Sequence, residues 1–120
     1  MANPNAKLSR LMDALADIET AAADNAERSL EVQRRASELR ERLAEGEALV
    51  ELVRDEESPR TVELLSTNMA TLETAGAELR AAKALALRAD GLTIEEIADL
   101  FGVTRQRISA LLKQKAAEDT

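Results

Sequence analysis

Apolar or small residues recur at alternating intervals of three and four from Leu8 onward: Leu8, Leu11, Leu15, Ile18, Ala22, Asn25, Ser29, Val32, Ala36, Leu39, Leu43, Gly46, Val50 and Val53. A period of 3.5 residues sustained over that distance is a coiled-coil repeat rather than the stripe of a helix lying on a globular core. At about 1.5 Å per residue the spacing predicts a helix roughly 70 Å long. Charged side chains fill the intervals, as a solvated face requires. Such a stripe cannot be buried by one helix alone, so a partner helix is needed. Ala, Leu, Glu and Arg dominate the chain, all strong helix formers, and Phe101 is the only aromatic. The predicted class is therefore all-α, with aliphatic packing.

The middle of the seam is poor in bulk, with Ala22, Asn25, Ser29 and Ala36 where leucines are expected. A seam Asn usually fixes register at some cost in stability. Flanking charges do not choose an orientation. A parallel homodimer pairs Arg42 favourably with Glu47 but also sets Arg35 against Arg40, so antiparallel and multi-helix arrangements remain open. The first helix is expected to stop near Asp55–Pro59, with Ser58 as N-cap and Pro59 in the first position of the next helix. Val62, Leu65, Met69, Leu72, Gly76 and Leu79 then continue at heptad spacing. The apolar face also broadens at Leu49, Val50, Leu52 and Val53, which marks where the second helix folds back as a hairpin. Residues 5–76 are thus read as a long coiled-coil helical hairpin. Its longer first helix projects beyond the second and meets another subunit through Leu8, Leu11, Leu15, Ile18 and Asn25, making a homodimer.

The chain has no Cys and no His. Disulfides and thiolate chemistry are excluded, together with the usual general base and the commonest metal ligand. The acid pairs Glu56-Glu57 and Glu95-Glu96 stand at helix starts, where carboxylates meet the helix dipole favourably. No glycine-rich phosphate loop or plausible metal cluster is present. No catalytic residue, metal site or cofactor is expected. Met1–Arg10 is polar and precedes no apolar core, and no run of about 18 apolar residues occurs. Neither a signal peptide nor a membrane span is expected, and the protein is read as cytoplasmic. Abundant Ala and an excess of Arg over Lys point to a GC-rich bacterial genome.

The formal net charge of −7 is unevenly distributed. Residues 1–76 carry nine basic and sixteen acidic side chains, whereas residues 77–120 carry seven of each. Within 104–115 the charged residues are Arg105, Arg107, Lys113 and Lys115, with no acid among them. Phosphate contacts depend on local cationic density more than on the balance of the whole chain.

Residues 77–116 read as a separate small domain of three helices. Gly91 can end one helix in a left-handed conformation. Thr93 with Glu96 three residues on makes a capping box for a short second helix. Gly102 supplies a tight turn and Thr104 caps a third helix. Two helices joined by a short glycine-containing turn form a helix-turn-helix. Ala98 is small where the two helices cross. Ile97, Phe101, Val103, Ile108 and Leu111 are expected to face inward, with Leu85 of the preceding helix closing the core.

The phrases Gly-Leu-Thr-Ile-Glu-Glu-Ile-Ala (91–98) and Phe-Gly-Val-Thr-Arg-Gln-Arg-Ile-Ser (101–109) resemble region four of bacterial sigma factors and regulators that share that module. The likeness covers about residues 79–115. No other sigma-factor region is visible, so a complete sigma factor is not expected. The resemblance implies that the last helix enters the major groove of double-stranded DNA and that its N-terminal residues meet base edges. Thr104, Arg105, Gln106 and Ser109 are then the outward candidates, with Arg105 suited to guanine and Gln106 to adenine. Arg107, Lys113 and Lys115 are assigned to phosphates, and Thr93 and Thr104 mark capped helix ends that can receive one. For Arg107 a structural ion pair is the competing role, with Glu95 or Asp99 as partner.

The expected function is a sequence-specific transcriptional regulator in the nucleoid, dimeric through its N-terminal helices and reading two half-sites. Two alternatives are carried: an adaptor engaging RNA polymerase or a sigma factor, and a DNA-bridging nucleoid protein. Salt separates DNA binding from adaptor function, because counterion release weakens DNA binding steeply as ionic strength rises.

Overall fold

The computed structural model describes residues 6–119, with side chains as far as Gln114. Five helices follow in order: α1 (Ala6–Ala44), α2 (Leu49–Arg54), α3 (Thr61–Ala89), α4 (Ile94–Phe101) and α5 (Arg105–Asp119), with no strand among the described residues. The all-α class with a long N-terminal helix and a small C-terminal helix-turn-helix is as the sequence predicts. Two compact units are formed, one from Thr20–Glu73 and the other from Met1–Glu19 with Thr74–Thr120. They do not follow the expected boundary between residues 76 and 77. The start of α1 groups with the C-terminal part of the chain rather than projecting alone, and Ala14 is buried.

Helix α1 ends about ten residues earlier than the heptad pattern suggests. Gly46 has φ +92°, its amide bonds the Leu43 carbonyl, and the Glu47 amide bonds the Arg42 carbonyl. This is a Schellman stop, in which a left-handed glycine closes the last turn. The seam passed through Gly46 because the residue falls at a heptad position. Its backbone freedom decides the outcome. The same bond pattern ends α3 at Gly91 (φ +101°) and α4 at Gly102 (φ +68°), as predicted for both.

The unit Thr20–Glu73 is a helical hairpin in which α1 and α3 run antiparallel. Its centre is polar. The Asn25 amide donates to the Asn68 carbonyl at 3.1 Å, and Arg28 donates Nε to Asn68 Oδ1 at 2.7 Å and Nη2 to Asn25 Oδ1 at 3.1 Å. The Thr71 hydroxyl lies 2.9 Å from Asn25 Oδ1, and Asn68 Nδ2 donates to Ser29 Oγ at 3.3 Å. Both asparagines are buried. Asn25 was expected in a seam between subunits; here its hydrogen-bonding groups are used within the chain, because burial demands satisfied partners.

Helix α3 also faces α1 differently from expectation. Leu64, Asn68 and Thr71 turn inward, while Val62, Leu65, Met69 and Leu72 remain exposed. The hairpin is correct but its contact stripe lies one position round the helix. Arg35 pins the connection. Its Nη1 donates to the Pro59 carbonyl at 2.6 Å, and its Nε to Glu31 at 2.8 Å. Helix α3 starts at Thr61 rather than Pro59, and the Ser58-Pro59 peptide is cis. Glu56, not Ser58, serves the helix start by accepting the Thr61 amide at 2.5 Å. Those Thr61 hydrogen bonds, with Arg35 and Arg60 nearby, hold the Glu56 carboxyl below its ordinary range.

Candidate nucleic-acid interface

The second unit carries the helix-turn-helix. Its core consists of Ala84 from α3, Ile97 and Ala98 from α4, and Ile108 from α5, all buried. Leu87, Leu92, Ile94, Phe101, Leu111 and Leu112 pack around them. Ala98 is the small residue expected at the α4–α5 crossing. Two core assignments change. Val103 is 38% exposed, because it follows the left-handed Gly102 and leaves the turn. The α3 side of the core is made by Ala84 and Leu87, with Leu85 half-buried outside this cluster. A signal for Leu87 was present: residue and glycine spacing place Leu87 and Leu92 as the hydrophobic pair that accompanies a Schellman end. Arg88, in the last turn of α3, donates to the Leu92 carbonyl at 2.9 Å and ties down the same corner.

The caps are formed as predicted. The Glu96 amide donates to Thr93 Oγ1 at 3.1 Å, and the Thr93 amide donates to Glu96 Oε1 at 3.0 Å. These bonds from Thr93 hold the Glu96 carboxyl below the usual glutamate range. They also occupy the first backbone donor of α4 with a carboxylate, and Glu95 lies beside it. An incoming phosphate at Thr93 meets negative charge there. The start of α5 differs: Thr104 Oγ1 accepts from the Arg107 amide at 3.2 Å, and the first turn contains no acid. Of the two helix ends predicted to receive phosphate, that of α5 has the suitable electrostatics.

Ile108, Leu111 and Leu112 turn towards the core, which fixes the rotation of α5. At about 100° per residue the opposite face is then Gln106, Ala110 and Lys113, with Arg107 on one edge and Ser109 on the other, while Arg105 lies further round, in the first turn. Arg105, Gln106, Arg107, Lys113 and Thr104 are all exposed. Ser109, predicted as outward, is half-buried on the flank between this face and the core. Neither arginine forms an ion pair with Glu95 or Asp99, and neither they nor Lys113 have an ion-pair partner among the described residues. The side chain of Lys115 lies outside the described residues. The arrangement presents three cations and one amide on a helix whose inner side is locked into a core. On α4, Leu100 is 68% exposed, which sequence reading did not single out.

This architecture is that of a helix-turn-helix domain. Residues 75–118 match the family model of the homeodomain-like domain, a little over a third of the chain. Comparison with curated proteins finds no match, and comparison with solved structures finds none either. Among the described residues no helix is long and apolar enough to cross a membrane.

Proposed function

We propose that this chain is a sequence-specific DNA-binding transcriptional regulator that reads the major groove with α5 and acts as a pair of copies on two half-sites. The observation that carries this reading is the exposed surface of α5: Arg105, Gln106, Arg107 and Lys113 face solvent, with no acid between 104 and 115 and none of them in an ion pair among the described residues. Cations left unneutralised on a rigid helix are what phosphate attraction requires. Arg105 and Gln106 sit in the first turn, where side chains of a recognition helix meet base edges, with guanine and adenine as their respective partners. Arg107 and Lys113 serve the phosphates, and Thr104 sets the helix end against one. The likeness of 91–109 to sigma region four supports the same placement, and the corresponding location is the bacterial nucleoid.

A second reading is an adaptor that docks on RNA polymerase or a sigma factor. Exposed Leu100 on α4 favours it, since a large apolar side chain on this module suits a protein partner. The test is fluorescence-anisotropy binding to fragments of the host genome, with a salt titration, for wild type and Arg105→Ala/Gln106→Ala. Selection of particular fragments that the double variant loses supports the regulator. Lys113→Ala is expected to weaken all fragments alike and reduce the salt slope by about 1. No binding at low salt turns the assignment to the adaptor.

A further inference from the structure

Helix α3 carries two neighbouring stripes at heptad spacing, and the hairpin uses the polar one. Leu64, Asn68 and Thr71 meet α1, whereas Val62, Leu65, Met69 and Leu72 are 67%, 45%, 73% and 41% exposed. An isolated amphipathic helix ordinarily turns its apolar stripe to the core. Here the Asn25–Arg28–Asn68–Thr71 hydrogen bonds hold α3 rotated by about one position instead. An apolar seam with coiled-coil spacing is left facing water.

We propose that this outer stripe of α3 is where two copies of the chain associate, as an antiparallel helix pair. A two-fold axis near Thr67 sets Val62 opposite Leu72 and Leu65 opposite Met69 of the second copy. Every contact then joins two large apolar side chains, and the 3-4-3 spacing suits knobs-into-holes packing against itself. Charge favours a second copy as well. Residues 1–76 are strongly acidic, which opposes self-association, yet Glu63 is the only charged residue from Val62 to Leu72. At about 100° per residue it lies well away from the centre of the stripe. Repulsion is thus kept out of the seam, as interface cores require.

The exposed fractions add up to a little over two full side chains per copy. At roughly 100 Å² of apolar surface each, the pair buries about 450 Å² of apolar area. With the polar rim this remains below the roughly 1,200 Å² total of stable complexes, so the dimer is of the weak class with a Kd in the micromolar range or above. If α5 binds DNA as proposed, two copies on adjacent half-sites gain effective concentration, and the stripe then makes their binding cooperative. Only that last step rests on the DNA-binding reading.

The test is sedimentation of the full chain without DNA, from about 5 to about 500 µM, a range that brackets weak association. Wild type is expected to pass from monomer to dimer. Leu65→Lys/Met69→Lys should remain monomeric with unchanged helicity by circular dichroism, while Leu100→Lys and Arg105→Ala/Gln106→Ala dimerise like wild type. Because the chain has no cysteine, orientation can be read by mixing Leu65→Cys with Met69→Cys under mild oxidation. The mixed 65–69 disulfide should predominate over 65–65 and 69–69. A wild type that stays monomeric or forms open-ended assemblies overturns the proposal. So does a Lys double variant that dimerises normally, or cross-linking that favours like positions. A wild type that dimerises but binds no DNA refutes the function of α5 alone.

Discussion

Arg42 and Glu47 form a two-pronged bridge across the turn that ends α1, with Nε and Nη2 donating to the two carboxylate oxygens at 2.8 and 2.7 Å. The pair that a parallel homodimer would place between subunits is therefore spent inside one chain. Its position depends on Gly46, which bends the backbone between the two residues.

The bridge itself is exposed, and exposed pairs contribute roughly 0–1 kcal/mol. Glu47→Gln is therefore expected to change urea stability very little. Gly46→Ala should cost about 1–2 kcal/mol, since an L-residue is strained at positive φ. A larger loss for Glu47→Gln than for Gly46→Ala would reverse this ranking.

The Asn25–Asn68 pair offers a sharper measurement. Asn25→Ala leaves Arg28 Nη2 and the Thr71 hydroxyl without their shared acceptor, and should destabilise the fold by about 1–3 kcal/mol. Asn68→Ala should cost a similar amount. Because both act in one network, the double variant is expected to lose less than the sum of the singles. Strict additivity in the cycle would mean that the two asparagines act independently.

Acid should loosen the hairpin through Glu31. Hydrogen bonds from Arg34 and Arg35 lower its pKa from 4.5 to about 2. A carboxylate with a depressed folded-state pKa adds stability above its unfolded value, and the contribution is lost as pH falls through the folded one. The wild-type urea midpoint should therefore decline between pH 4.5 and about 2. Glu31→Gln should lower the midpoint at neutral pH and flatten that decline, with both effects smaller at high salt.

Within the helix-turn-helix, Thr93→Ala removes the cap accepting from the Glu96 amide and should cost about 1 kcal/mol. Ile108→Ala empties a fully buried site and should cost about 2–5 kcal/mol. Thermal melts followed by circular dichroism give both values. Equal losses would place Ile108 outside the core.

The helix-turn-helix was legible because its signals are local. Thr93, Glu96, Gly91, Gly102 and Thr104 act within a few residues of one another, so their spacing alone fixes the caps and turns. The hairpin depended on choices between distant segments. Val62, Leu65, Met69 and Leu72 form the more apolar stripe, yet Asn68 and Thr71 turn inward because Asn25 and Arg28 satisfy them from forty or more residues away. Periodicity assigns apolar residues to a face but carries no record of such cross-chain pairing. At the interface, the resemblance to sigma region four implies Arg105 and Gln106 as outward residues and Lys113 as a phosphate contact, and all three are exposed. The half-burial of Ser109 required knowing how Ile108, Leu111 and Leu112 set the rotation of α5.

The glycine stops of α1, α3 and α4 share one further property. A Cβ built on Gly46, Gly91 or Gly102 meets nothing within 4 Å, while all three residues have φ between 68° and 101°. Space is therefore not what excludes a side chain there; chirality is. A D-alanine introduced by chemical synthesis at any of the three would be at ease in the same backbone, and would restrict the unfolded chain besides. The helix boundaries of this protein are written partly in positions where the mirror-image amino acid is the natural fit.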